Sequence, residues 1–108
     1  MVRYFRHLYL SEGLEKKKDK IIKKLNENKL QYDIYLITLP VTEHNQLEIY
    51  NSLELKQPSY PQKEWFVVGL AKGYDAALEL VEEITRTVYN ETRGADIRSY
   101  ILEKEREE

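Results

Sequence analysis

The feature that most constrains this chain is a pair of short runs that are apolar at odd and even positions alike. They are Asp33–Leu39 (Asp-Ile-Tyr-Leu-Ile-Thr-Leu) and Trp65–Ala71 (Trp-Phe-Val-Val-Gly-Leu-Ala). Successive side chains of a β-strand point to opposite faces, so a strand with one wet face alternates apolar and polar residues. These runs do not alternate, and each reads as a strand with apolar residues on both sides. In the first, Ile34 and Leu36 share one side while Tyr35, Ile37 and Leu39 share the other. Any fold for the sequence must find cover for both faces.

Two segments read as amphipathic helices. The first follows Ser11, a candidate N-cap, and runs to about Lys29. Its Leu14, Ile21, Ile22 and Leu25 fall within roughly 100° of arc, and Lys16, Lys20, Lys23 and Lys24 gather on the opposite face. The second opens after Gly73 and ends before Gly94, a residue suited to a helix C-terminus. Ala77, Leu80, Val81, Ile84 and Val88 form its apolar stripe. Glu79, Glu82, Glu83 and Arg86 line its outer face, with Glu82 and Arg86 spaced as an i,i+4 pair. Tyr4–Leu10 and Ile97–Leu102 read as further strands. Gln46–Leu55 reads as an alternating strand, with a helical reading or a turn at Asn51-Ser52 left open. Gln57–Lys63, holding Pro58 and Pro61, reads as a loop, and Glu103–Glu108 as a frayed charged tail.

The resulting order, β-α-β-β-β-α-β, predicts a single α+β domain over residues 1–102. Right-handed crossovers would merge its two β-α-β units into a two-layer ferredoxin-like sandwich. The strand at 46–55 would be an extra one, covering the edge of Asp33–Leu39. Such a sandwich places both helices on one face and leaves the other bare. An uncovered apolar patch of about 800 Å² represents roughly 20 kcal/mol of unrealised burial at ~25 cal/mol per Å². The layout therefore predicts a homodimeric interaction or regulatory module, with Tyr35, Ile37 and Leu39 as the candidate dimer face.

Composition narrows the remaining possibilities. With no cysteine among its 108 residues, the chain has no disulfide, thiolate metal site or cysteine nucleophile. No stretch approaches the ~20 apolar residues of a membrane helix, and no leader pattern opens the sequence. The expectation is a cytoplasmic protein with no membrane partner. The net charge of −2 hides an asymmetry: residues 1–29 carry nine Lys and Arg against four acids, residues 30–108 eight against fifteen. A uniformly basic nucleic-acid binder is disfavoured, yet the patch Lys16, Lys20, Lys23 and Lys24 keeps RNA binding as the alternative.

Two local features invite a site. The turn Gly69-Leu70-Ala71-Lys72-Gly73-Tyr74 joins a strand to a helix start, where backbone amides could hold an anion or small ligand with Lys72 as counter-charge. Gly69, Lys72, Gly73 and Tyr74 are its candidate residues, although the spacing matches neither a P-loop nor a dinucleotide fingerprint. Its plainer reading is a tight turn at Gly73 and close packing at Gly69. His7 and His44 are the only histidines, without the partners that a metal or general-base site needs. No nucleophile motif or carboxylate pair supports an enzymatic assignment, and no cofactor is implied.

Leu8-Tyr9-Leu10-Ser11-Glu12-Gly13-Leu14 resembles the first-strand motif of RNA-recognition domains, which stack bases on aromatics of a bare sheet face. The second motif of those domains would fall on Lys63–Leu70, which lacks its glycine and aromatic spacing. Val67–Val81, together with Leu47-Glu48-Ile49-Tyr50 and the Gln57-Pro58 loop, resembles small uncharacterised proteins of Gram-positive bacteria. That resemblance spans most of the chain and implies a bacterial cytoplasmic origin. It implies no site residue.

Overall fold

A computed structural model describes residues 2–27, 29–40, 47–56 and 65–107. The chain forms β1 (Val2–Leu10), a 3-10 turn (Glu15–Lys17) running into α1 (Lys18–Asn26), β2 (Ile34–Thr38) and β3 (Glu48–Asn51). A second 3-10 stretch (Ser52–Lys56), β4 (Trp65–Lys72), α2 (Tyr74–Thr92) and α3 (Ile97–Arg106) follow. The four strands make one mixed sheet in the order β1-β4-β2-β3. β1 runs parallel to β4, and β2 runs antiparallel to both β4 and β3. The α+β class and a strand pairing beyond β2 match the reading of the sequence. Strand order and count differ from a ferredoxin-like sheet.

The first difference lies in where β2 begins. Nine helical residues span about 13 Å, whereas the nine residues of β1 extend about 30 Å. The helix alone does not return the chain to the start of β1. β2 instead begins where β1 and β4 finish: Leu10 is level with Leu70, Ile34 with Lys72, and Gly73 N–H donates to the Asp33 carbonyl at 2.7 Å. From there β2 can only run back, antiparallel. β1, α1 and β2 therefore form no parallel β-α-β unit.

The second difference is at Ile97–Leu102, which is part of a helix and not a strand. Ile97, Ser99 and Ile101 alternate as a strand would, but Ile97 and Ile101 are also one helical turn apart. Asp96 decides between them by capping: its carboxylate accepts from Ser99 N–H (3.1 Å) and from the Ser99 hydroxyl (2.8 Å). These bonds hold the Asp96 carboxyl below its ordinary range. Ile97 and Ile101 are buried while Ser99 is exposed. Residues 103–106 continue α3 instead of fraying, and Glu105 accepts from Arg6 N–H of β1 at 2.9 Å. With residues 97–102 helical and β4 on one side only, β1 is an edge of the sheet.

Both faces of the sheet are covered, which overturns the bare face expected from the sequence. On one side Leu14, Ile21 and Leu25 pack on Ile34, Leu36, Val67 and Leu70. On the other, α2 and α3 close over Phe5, Ile37, Leu39 and Val68. The candidate dimer face lies under this second layer. Ile37 and Leu39 are buried, and Tyr35 is partly covered, its ring edge-on to Tyr74 with centroids 5.7 Å apart. A one-residue irregularity in the β2–β4 register, opposite Ile37/Thr38, leaves Val68 unmatched. Apolar runs on both alternating positions are thus explained by two helical layers of the chain itself.

Smaller corrections follow. Ser11 does not cap α1; its hydroxyl accepts from Lys72 N–H at 3.1 Å, tying β1 to β4. The strand read at 46–55 stops at Asn51, whose side chain accepts from Leu53 N–H (3.0 Å) while Glu54 accepts from Asn51 N–H (2.8 Å). That local exchange starts the 3-10 stretch. The Gln57–Lys63 loop lies outside the described residues. α2 ends on Arg93, left-handed at φ 60°, one residue before Gly94. Gly73 precedes α2 at φ 93°, ψ 149°, a region essentially confined to glycine. Gly73→Ala is expected to cost about 1–3 kcal/mol in chemical denaturation, although nothing lies within 4 Å of an added Cβ. A neutral result there would remove the conformational explanation for this glycine.

Candidate functional site

β1 and β4 are adjacent and parallel, and both end at one rim of the sheet. In open sheets the crevice outside the carboxyl ends of parallel strands is where ligands bind. A groove of about 530 Å³ lies there, between the loop after β1 and the first half of α2. Leu10, Ala76 and Leu80 give it an apolar floor, and Ser11 borders it. Around the floor stand Glu12, Glu15, Lys72, Glu79, Glu83 and Arg86. Among the described residues none of these six charged groups is ion-paired. Arg86 lines the groove without an ion pair to Glu82, so the i,i+4 pair read from the sequence does not form.

The predicted turn residues separate. Lys72 reaches the groove. Gly69 sits under it as a packing residue: a Cβ there would lie 3.2 Å from Leu80 Cδ2 and 3.4 Å from both Ile37 Cδ1 and the Tyr9 carbonyl. Gly73 makes the turn, and Tyr74 turns away to Tyr35. Four carboxylates against two cations make the groove net negative, so its field opposes an anion. Glu12, Glu15, Glu79, Glu83 and Arg86 were not singled out from sequence as one site. The available signal was Glu79-x-x-x-Glu83-x-x-Arg86, which places three charges along one flank of a helix.

Elsewhere three tyrosines are shifted from their ordinary range. The Tyr100 hydroxyl donates to Glu91 Oε2 at 2.8 Å, and burial followed by that bond holds its pKa far above the ordinary phenol value. Tyr9 is raised mainly by burial, then by Glu91 and Glu83. Burial pushes Tyr4 up to about 12, and its hydroxyl donates to Asn26 at the end of α1 (3.3 Å). All three stay protonated at neutral pH. His7 is exposed, its ring edge-on to Phe5 with centroids 5.6 Å apart; His44 lies outside the described residues. Among the described residues no group of three His, Cys, Asp or Glu could hold a metal ion, and no helix is long and apolar enough to cross a membrane.

Tyr9, the aromatic of the segment that resembles RNA-recognition domains, packs against the core beneath α2 and α3. The lysine row does reach solvent: Lys16, Lys20 and Lys23 are exposed and Lys24 half-buried. It lies on the far side of the sheet from the acidic face of α2, so the two do not neutralise each other within one molecule. The chain matches no protein-family model, no curated protein and no solved structure, and the groove is therefore read from its own chemistry.

Proposed function

We propose that the chain is an interaction module whose working site is the groove at the carboxyl ends of β1 and β4, and that the groove receives ammonium groups. The observation that carries this reading is the set of six charged side chains, unpaired with one another, around an apolar floor. All six side chains are exposed, so their charge is available to an occupant of the groove. Glu12, Glu15, Glu79 and Glu83 outnumber Lys72 and Arg86, which selects a cationic occupant. The apolar floor suits the methylene stem that carries an amine. The volume falls in the range of small-molecule clefts.

Thermal unfolding with added lysine, arginine or spermidine tests this, against sodium chloride of equal ionic strength and against phosphate. Ligand at 100 times its Kd stabilises the folded state by about 2.7 kcal/mol. A rise in Tm of several degrees is therefore expected with the amines and not with phosphate. Glu79→Gln with Glu83→Gln should abolish the rise while leaving the unliganded Tm nearly unchanged, since both side chains are exposed. Equal stabilisation by phosphate, or no response to any amine beyond the salt control, would overturn the reading.

A further inference from the structure

The sheet separates two layers of opposite charge. Between residues 15 and 29 the chain carries seven lysines against three acids, while α2 carries five acids against one arginine. α1 and α2 pack on opposite sheet faces, so their outer surfaces point away from each other. Among the described residues Lys16, Lys20, Lys24, Asp75, Glu79 and Glu83 all lack an ion-pair partner.

The two rows also match in spacing. Lys20 and Lys24 of α1 lie four residues apart, as do Asp75, Glu79 and Glu83 along α2, and side chains four apart are neighbours on a helical surface, with Lys16 just ahead of α1 in the 3-10 turn. Laid antiparallel, Lys16 meets Glu83, Lys20 meets Glu79 and Lys24 meets Asp75. The antiparallel arrangement brings the negative end of the α1 dipole to the positive end of α2. It also brings the chain just after α1 towards the start of α2. Exposed Leu30 and Tyr32 lie at the first place, exposed Tyr74 and Leu78 at the second. These are four of the five large hydrophobics exposed among the described residues.

Resting on the reading above, we infer that the ammonium groups the groove receives are those of a second copy of this chain, docked head to tail with its α1 lysines on the α2 carboxylates. α1 and α2 lie on opposite faces of the sheet, so a single α1–α2 contact leaves one lysine row and one carboxylate row free on the pair. Each added copy leaves one surface of each kind free, and such heterologous contacts grow open chains. Because the contact is largely ionic and exposed, salt weakens it.

Sedimentation velocity and light scattering of the intact protein test this. At 50 mM sodium chloride the average mass should exceed 12.9 kDa and keep rising with concentration past a dimer. At 500 mM it should fall towards the monomer. The triple variant Lys16→Glu, Lys20→Glu, Lys24→Glu should stay monomeric at low salt, as should Asp75→Lys, Glu79→Lys, Glu83→Lys. Mixed in equal amounts, the two should recover association, because each supplies the charge row that the other lacks. Circular dichroism of each variant checks that it is folded. A wild-type chain that stays monomeric at low salt and millimolar concentration overturns the inference. So does a plateau at a dimer, or a mixture of folded variants that does not associate. Should free amines stabilise a protein that never self-associates, the amine-receiving groove stands and only the second copy is excluded. If neither occurs, both fall.

Discussion

Replacing Leu36 with alanine is expected to destabilise the chain by about 2–5 kcal/mol, the range for truncating a buried leucine. Leu36 has no exposed surface, and it packs among Ile21, Leu25, Val67 and Leu70, beneath α1. For a domain of this size each kcal/mol lowers Tm by roughly 4 °C or more, so a fall of about 10 °C or more is anticipated. The substitution separates two architectures. In a two-layer sandwich with both helices on the opposite face, Leu36 would meet solvent, and its truncation would cost no more than about 0.5 kcal/mol. Lys20→Ala, on the exposed side of the same helix, serves as the control and should be near neutral. If Leu36→Ala melts with the wild type, α1 does not form the second layer.

Ile101→Asp should be more damaging still. Ile101 is completely buried, in the core that α3 shares with Phe5 of β1 and Ile84 of α2. An unpaired carboxylate there costs on the order of 3–5 kcal/mol or more, a large share of the 5–15 kcal/mol that holds a typical domain together. Loss of the cooperative transition at 37 °C is the anticipated outcome. Ser99→Lys provides the contrast. A strand would place residues 97, 99 and 101 on one face, so lysine at 99 would be buried. In α3 residue 99 is exposed, and the lysine should be tolerated within about 1 kcal/mol. Comparable damage from both substitutions would return this segment to a strand.

Several elements were legible because their signals are local. α2 shows a long 3.6-residue period bounded by Gly73, and β2 and β4 are dense apolar runs. The turn at Asn51-Ser52 was visible in residues that bond their own backbone. What was not legible depended on lengths and on competition between patterns. Ile97 and Ile101 satisfy a period of two and a period of four equally well, and only the Asp96 cap breaks the tie. The side of the sheet that α1 covers goes with β2 starting level with the ends of β1 and β4, which no hydrophobic pattern records. With β2 reversed, α1 lies on the face opposite α2, and the bare sheet face that called for an outside partner is covered. The groove followed the same logic. Lys72 was found because it sits in a recognisable turn, whereas Glu12 and Glu15 come from a loop brought alongside Glu79 and Glu83 only by the parallel pairing of β1 with β4.

That pairing also sets a timetable. The first strand made has its sole neighbour in the last one, with Ser11 and Lys72 joined across 61 positions of sequence. While the nascent chain is emerging, β1 and the lysine helix have no sheet to rest on, and only the β2–β3 ribbon can close locally. Everything else waits for residues 65–72, after which both helical layers gain their floor at once. The strand that arrives late is the keystone, and the N-terminal third of the protein leaves the ribosome as an unassembled cationic segment until it does.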